Sequence, residues 1–303
     1  MSRKSIIGKY LAVGIILLFV GAGVVPSIAK PIHATANTVP HPGNFFGLSS
    51  NIIVSWDANE TEEPIIPRGP MRQVQLDISF WVTWGVFGRL IGYLLRSQSL
   101  TMQVSIIEKP EWCYAIISQQ NLSFTIPREE NNQIIIHDYL AVGVGEDAPA
   151  FEVFPVTIQT TVEPLHGFFG ILTLMQGTTR NVNVTFGVAY KPLIQPFFPQ
   201  TNVIETPPLV QVELPIGIKN LGNGKTIVEN EVVAYPDGWI VSLPAQLILE
   251  VGEYKEMNLS IVAPSDFSGV ETIIVSFTPH SFDNYSLVGQ TTYASFLGFY
   301  NPP

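Results

Sequence analysis

The sequence predicts an all-β protein: two antiparallel β-sandwiches in tandem, behind an N-terminal signal or anchor helix. Three observations predict it. Only 13% of the 303 residues are charged, while Gly and Pro each number 24, so breakers are frequent and solvated helix faces are scarce. Runs of strict apolar/polar alternation recur between turn signals, the period of a half-buried strand. Outside the N-terminus no long stretch carries the 3.6-residue period of a packed helix.

Residues 1–29 hold Arg3, Lys4 and Lys9, the uncharged apolar run Leu11–Val25, and then Ser27-Ile28-Ala29. A basic start, a greasy core and small residues before a cut site describe a secretory signal peptide. The run is shorter than the ~20 residues of a comfortable membrane span, yet tilt or bilayer thinning lets such a run stay as an anchor. Cleavage after Ala29 is the preferred reading and a retained anchor the alternative. Both place the remainder outside the cytoplasm, secreted or at the cell surface. Membrane contact is expected only through residues 11–25, and only if the signal is uncleaved.

The formal charge of −10 becomes −13 once Arg3, Lys4 and Lys9 are removed. A chain so acidic lacks the positive footprint that neutralises phosphates, which excludes nucleic acid as a partner. Cys113 is the single cysteine, so no intrachain disulfide forms, and its apolar neighbours mark it as a buried hydrophobe. Five Asn-x-Ser/Thr sequons follow the signal, at Asn59, Asn121, Asn183, Asn258 and Asn284. Asn183 and Asn258 alternate against apolar neighbours and are expected to face solvent, where a glycan is sterically allowed.

Residues 30–65 read as an extended lead-in rich in Pro, His, Asn and Ser, with a short strand at Ile52–Trp56. Its acids Asp57, Glu60, Glu62 and Glu63 lack the ligand spacing of a calcium loop. Residues 66–207 are expected to form the first, enlarged sandwich. Val74, Leu76, Ile78, Phe80 and Val82 alternate with polar residues, and Trp81 falls on the polar side. Phe87, Leu90, Ile91, Leu94 and Leu95 fall at helical spacing and predict a short helix with that face inward, despite three glycines. Further alternating runs follow at 100–106, 140–144, 156–162 and 182–190. Pro196, Pro199 and Pro207-Pro208 mark a linker, and residues 208–303 the second sandwich. There the alternating run 210–218 ends at Asn220-Leu221-Gly222-Asn223-Gly224, an Asn-Gly signal for a hairpin with positive φ at Gly224. Pro236-Asp237-Gly238 is a second turn.

The halves repeat one plan. Pro110-Glu111-Trp112 parallels Pro236-Asp237-Gly238-Trp239; each is followed by a short apolar strand and then by an alternating strand closed by Ala-Pro, at 148–149 and 263–264. Trp112 to Pro149 spans 37 residues and Trp239 to Pro264 spans 25, the excess fitting an insertion around Arg128–Gln133. Short strands with two tryptophans at matched turns point to immunoglobulin-like sandwiches.

Residues 210–280 resemble the immunoglobulin-like modules of the CARDB type and similar modules appended to secreted glycoside hydrolases. The residues carrying the resemblance are Asn220, Gly222, Asn223, Gly224, Pro236, Gly238, Trp239, Gly252, Glu253, Ala263 and Pro264. The signal peptide and the sequon-rich style also resemble secreted cell-surface proteins of archaea. The resemblance implies a non-catalytic module, with no catalytic residues to carry over.

The chain lacks a Gly-x-Ser-x-Gly elbow, a His-Glu-x-x-His zinc motif and a Gly-rich phosphate loop. The five His, at 33, 41, 137, 166 and 280, lack metal-ligand spacing. His137 and Asp138 adjoin, but neighbours on a strand point to opposite faces and cannot pair directly; they are expected as surface strand residues. No cofactor, metal or catalytic residue is therefore expected, and the chain is read as not an enzyme. The leading expectation is a cell-surface structural or adhesion protein whose partners are cell-surface proteins or glycans. The alternative is an accessory module presenting carbohydrate or substrate to a secreted enzyme. Candidate sticky residues are Phe45-Phe46, Trp81, Phe168-Phe169 and Phe197-Phe198, with Trp81 the foremost contact.

Overall fold

The computed structural model describes residues 47–95, 98–167, 172–198 and 202–302. The expected signal or anchor at 1–29, Phe45-Phe46 and Phe168-Phe169 lie outside the described residues.

The described chain is all-β, with mainly antiparallel sheets. Its first part runs β1 (Leu48–Ser55), α1 (Asn59–Glu62), β2 (Arg72–Trp84), α2 (Gly88–Leu95), β3 (Ser99–Glu108), β4 (Cys113–Ile117), β5 (Asn121–Thr125), β6 (Ile134–Val144), β7 (Val153–Val162), β8 (Leu165–Gly167), β9 (Leu172–Gln176) and β10 (Thr178–Gly187). These strands build a six-stranded sheet, β4-β6-β2-β1-β9-β8, facing a four-stranded sheet, β10-β7-β3-β5. Val74, Leu76, Ile78, Phe80 and Val82 of the first sheet meet Met102, Val104, Val156, Ile158 and Val184 of the second in one buried cluster. Cys113 lies in that cluster, as its neighbours predict.

The second part runs β11 (Ile194–Phe197), β12 (Val203–Glu205), β13 (Gln211–Asn220), β14 (Thr226–Ala234), β15 (Ile240–Ser242), β16 (Gln246–Leu249), β17 (Tyr254–Val262), β18 (Gly269–Ser281) and β19 (Thr292–Tyr300). Its sheets are β11-β13-β17-β15 and β12-β19-β18-β14-β16, closed over a separate cluster that includes Ile216, Trp239, Leu259, Val275, Phe277 and Phe296. Pro196, read as linker, belongs to β11 and pairs with Ile218, so the second sheet pair starts before residue 208.

The two parts pair their strands alike. β6 pairs with β2 and β4, and β17 with β13 and β15. β3 pairs with β5 and β7, and β14 with β16 and β18. Even the register irregularity recurs, at Ile106/Glu108 in β3 and at Val232/Ala234 in β14.

Two expectations are corrected. The segment Asn220–Gly224 is not a hairpin turn, because β13 and β14 lie in different sheets and do not pair with each other. Among the described residues the positive-φ glycines are Gly238, Gly252 and Gly269, and Gly224 is not one of them. The segment is instead an arch between sheets, tied inward by the buried Asn220. The turn at Pro236-Asp237-Gly238 does use a left-handed glycine, with φ of 80°.

The arch also meets the first sheet pair. Asn223 Nδ2 donates to the carbonyls of Ala148 (3.0 Å) and Ala189 (2.9 Å), and its Oδ1 accepts the Lys191 N–H at 2.7 Å. The Ala150 N–H donates to the Asn223 carbonyl, and the Tyr190 hydroxyl lies 2.8 Å from Thr226 Oγ1. A side chain at Gly224 would find its Cβ 2.9 Å from both Ala150 Cβ and Tyr190 Cδ2. We expect Gly224→Val to destabilise this junction by crowding, not by φ strain. Pairing it with Tyr190→Ala, which opens the space, should recover part of the lost thermal stability; additive losses would contradict the packing cause.

The second correction concerns α2. Its inward residues are Gly88, Gly92 and Leu95, while Phe87, Leu90 and Leu94 are exposed. The glycines explain the rotation. A Cβ on Gly88 would lie 2.4 Å from Trp84 Cβ, so that glycine seats the helix on Trp84; Leu95 and the partly buried Ile91 face the core, and Leu90 and Leu94 face outward.

Candidate functional site

Alternation on β2 sends Gln73, Gln75, Asp77, Ser79 and Trp81 to the outer face of the six-stranded sheet. The register sets Asp77 opposite His137, Gln75 opposite Tyr139 and Trp81 opposite Asn51. His137 Nδ1 lies 2.7 Å from Asp77 Oδ1, and Gln75 Nε2 donates to the same Oδ1 at 3.0 Å. Tyr139 is exposed beside this network, as are Ile135 on β6 and Tyr114 and Ile116 on the edge strand β4. Trp81 is half-buried on this face and outside the buried core cluster. The helix α2 packs on Trp84.

His137 and Asp138 point to opposite faces, as alternation predicts. His137 finds its carboxylate across the strand pair, in Asp77. Asp138 is not a surface residue: it is buried, and its Oδ1 accepts from Ser118 Oγ (2.5 Å), the Gln119 N–H (3.2 Å) and the Tyr139 N–H (2.8 Å). Those donors come from the β4–β5 turn and from the strand itself, which is how a carboxylate is held inside. Among the described residues, no three His, Cys, Asp or Glu side chains cluster closely enough to hold a metal ion.

A second concavity opens between the sheets. β5 covers β3 only from Ser99 to Gln103, and β4 pairs only with β6, so both strands present open edges. The groove between them has a volume of about 760 Å³, with Val104, Ile106, Ile107, Ala115, Ile116 and Ile117 among its walls. The Lys109 ammonium donates to the Cys113 carbonyl at one end. Burial raises the Cys113 thiol pKa above its ordinary 9.0, with the Lys109 charge opposing. A raised thiol pKa means that the folded state holds this proton more tightly. Its stabilising contribution is therefore present below pH 9.0 and declines as the pH rises above that value. Thiol reagents should label Cys113 only on unfolding, and Cys113→Ala should lessen the alkaline loss of stability in denaturant titrations. Rapid labelling of the native protein at neutral pH would contradict its burial.

All five sequon asparagines are exposed. Asn121 and Asn183 lie on β5 and β10, the two edges of the four-stranded sheet, with room around them. Asn59 opens α1, Asn258 on β17 donates to Glu213 at 2.9 Å, and the Asn284 side chain accepts from the Ser286 hydroxyl at 2.7 Å. Phe197 and Phe198 pack edge-on against Tyr254 and Phe296 and are about one-third exposed. They close the second sheet pair more than they offer a surface.

No protein-family model and no curated protein sequence matches the chain. Some solved structures resemble it at low similarity. The ASH/PapD-like domain 7 of human CEP192 is 14% identical, with a TM-score of 0.28 over 35% of this chain and 83% of that one. CfaE, the adhesive subunit of CFA/I fimbriae of enterotoxigenic Escherichia coli, is 11% identical, with a TM-score of 0.29 over 91% of this chain and 85% of that one. The periplasmic chaperone SfaE is 10% identical, with a TM-score of 0.21 over 82% of this chain and all of that one. Superpositions this loose leave the functional argument to the chain's own residues.

Proposed function

We propose that the protein is a non-catalytic, extracytoplasmic structural or adhesion protein, built from two tandem immunoglobulin-like modules that serve as spacer and contact surface. The observation that carries this reading is the junction at Asn223. Two sheet pairs, each with its own apolar cluster, are joined by four hydrogen bonds on one buried side chain and its backbone. Such a buttress holds modules at a set angle, which suits a spacer better than a flexible tether. The exposure of every sequon, the apolar segment before Lys30 and the CARDB resemblance of residues 210–280 support a location outside the cytoplasm. Protease added to intact cells should release peptides from residues 47–302. Protection of these residues until lysis would contradict the reading.

The outer face around Trp81 favours one second reading, an accessory module that binds carbohydrate for a secreted enzyme. Trp81 and Tyr139 supply ring surfaces and Gln75, Asp77 and His137 supply hydrogen-bonding groups. Saturable glycan binding that Trp81→Ala abolishes, with unchanged thermal unfolding, would select it. Absence of binding across neutral and acidic glycans would reject it.

A further inference from the structure

We infer that α2 is a membrane-interface contact: its outward face lays the first sheet pair, by the pole where the N-terminal segment enters, against a lipid bilayer. Val86, Leu90 and Leu94 are 65%, 61% and 65% exposed, with Phe87 and Tyr93 also more than half exposed beside them. Large apolar residues so concentrated on a short element are uncommon on a surface that meets only water. The close seat of Gly88 on Trp84 sets this facing, with Leu95 inward and Leu90 and Leu94 outward. The local charge fits the same partner. Between Asp77 and Glu108 the sequence has no acidic residue, and its charges there are Arg89 and Arg96, in a chain whose net charge is −10. Glu130, from the loop before β6, accepts the Trp84 N–H at 3.1 Å and is thereby held at the strand end. An apolar face on an element that carries Arg89 and no acid is the composition of one that lies in the headgroup boundary, not one that crosses it. Consistent with lying and not crossing, no helix among the described residues is long and apolar enough to span a bilayer.

The course of the chain names the occupant. Forty-six residues precede Gly47, and among them Leu11–Val25 is uncharged and apolar. Gly47 enters at the α2 pole: its carbonyl accepts the Gly85 N–H at 2.8 Å, and Leu48 pairs with Trp84, four residues before α2 begins. The second sheet pair departs from the opposite pole, near Ala148 and Tyr190, roughly 40 Å away along the thirteen residues of β2. From Val25 to Gly47 the chain spans up to about 75 Å when extended. The apolar segment alone therefore brings this pole near a membrane without seating it there. The exposed face of α2 supplies the seat, and the second sheet pair is carried away from the bilayer. This contact goes beyond the expectation that only residues 11–25 touch lipid, and it rests on that segment being retained.

The test uses the full chain reconstituted in vesicles of phosphatidylcholine and phosphatidylglycerol. An environment-sensitive fluorophore is attached at Leu94→Cys, or at Tyr235→Cys on the second sheet pair as a control; the chain's own thiol, Cys113, is buried and stays unlabelled. The expected result is a blue shift at position 94 and loss of its emission to brominated lipid, with neither at position 235. Adding Leu90→Glu should return the position 94 probe to a water-like spectrum while the circular dichroism stays unchanged. A water-like spectrum at position 94 without Leu90→Glu would overturn the inference. A blue shift that needs no vesicles and grows with protein concentration would also overturn it, by assigning the face to a second copy of the chain.

Discussion

Trp239→Ala is expected to destabilise the second sheet pair by about 3–5 kcal/mol, the range for removing a large aromatic from a close-packed core. Trp239 is 5% exposed and meets Phe267 edge-on, with ring centroids 4.6 Å apart. The core is shaped around it: an added Cβ at Gly298 would fall 2.8 Å from Trp239 Cη2, so β19 uses glycine where the indole passes. Removing the indole leaves a void bounded by backbone that cannot collapse, which places the cost toward the upper part of the range. Trp112, its counterpart in the repeat, is only partly buried and rests edge-on against Phe154 at 4.7 Å. The same truncation there is expected to cost less. Denaturant unfolding of both variants checks the pair of values, and an unchanged transition for Trp239→Ala would contradict the inter-sheet position of the ring.

Asn220→Leu is the second large effect. The side chain is fully buried. Its Nδ2 donates to the carbonyls of Gly224 (2.9 Å), Glu250 (3.1 Å) and Leu249 (3.4 Å), and its Oδ1 accepts the Gly222 N–H at 2.9 Å. One amide thus ties the arch after β13 to the turn after β16. Leucine matches the volume and satisfies none of these groups. Each buried polar group left without a partner costs about 1–3 kcal/mol. The Gly224 and Glu250 carbonyls keep the Thr226 hydroxyl and the Glu253 N–H, each at 3.1 Å, so the loss falls mainly on the Gly222 N–H and the Leu249 carbonyl. A total of about 2 kcal/mol or more is expected from those groups together. Thermal unfolding at equal protein concentration measures it, and wild-type stability in Asn220→Leu would mean that solvent reaches the arch.

Strand identity is readable along most of the chain because one side of each sheet is buried. The alternation of Val74 to Val82 and of Leu214 to Ile218 therefore survives as the burial pattern. The same alternation places Asn183 and Asn258 outward. Register is not readable from one strand. Nothing in the segments 73–81 or 133–141 alone says that Asp77 faces His137, so the paired network of the outer face emerges only with the fold. Local turn chemistry misleads at Asn220–Gly224. An Asn-Gly step favours a hairpin, but β13 and β14 belong to opposite sheets, and the buried amide of Asn220 stabilises an arch that no local signal specifies. On α2 the helical spacing of large residues is real but only part of it faces inward: Leu95 and Ile91 do, while Phe87, Leu90 and Leu94 do not. Hydrophobic periodicity assumes that the largest side chains go inward; Trp84 leaves no room for a Cβ at Gly88.

The most direct test of the account is the intact mass of the protein from its native host, after separation of cytosol, membrane and medium. The expected result is recovery from membrane or medium, with mass in excess of the polypeptide that maps to some of Asn59, Asn121, Asn183, Asn258 and Asn284. A start at Lys30 would show a released protein, and a start at Met1 a tethered one. An unmodified chain beginning at Met1 and recovered from the cytosol would contradict the account.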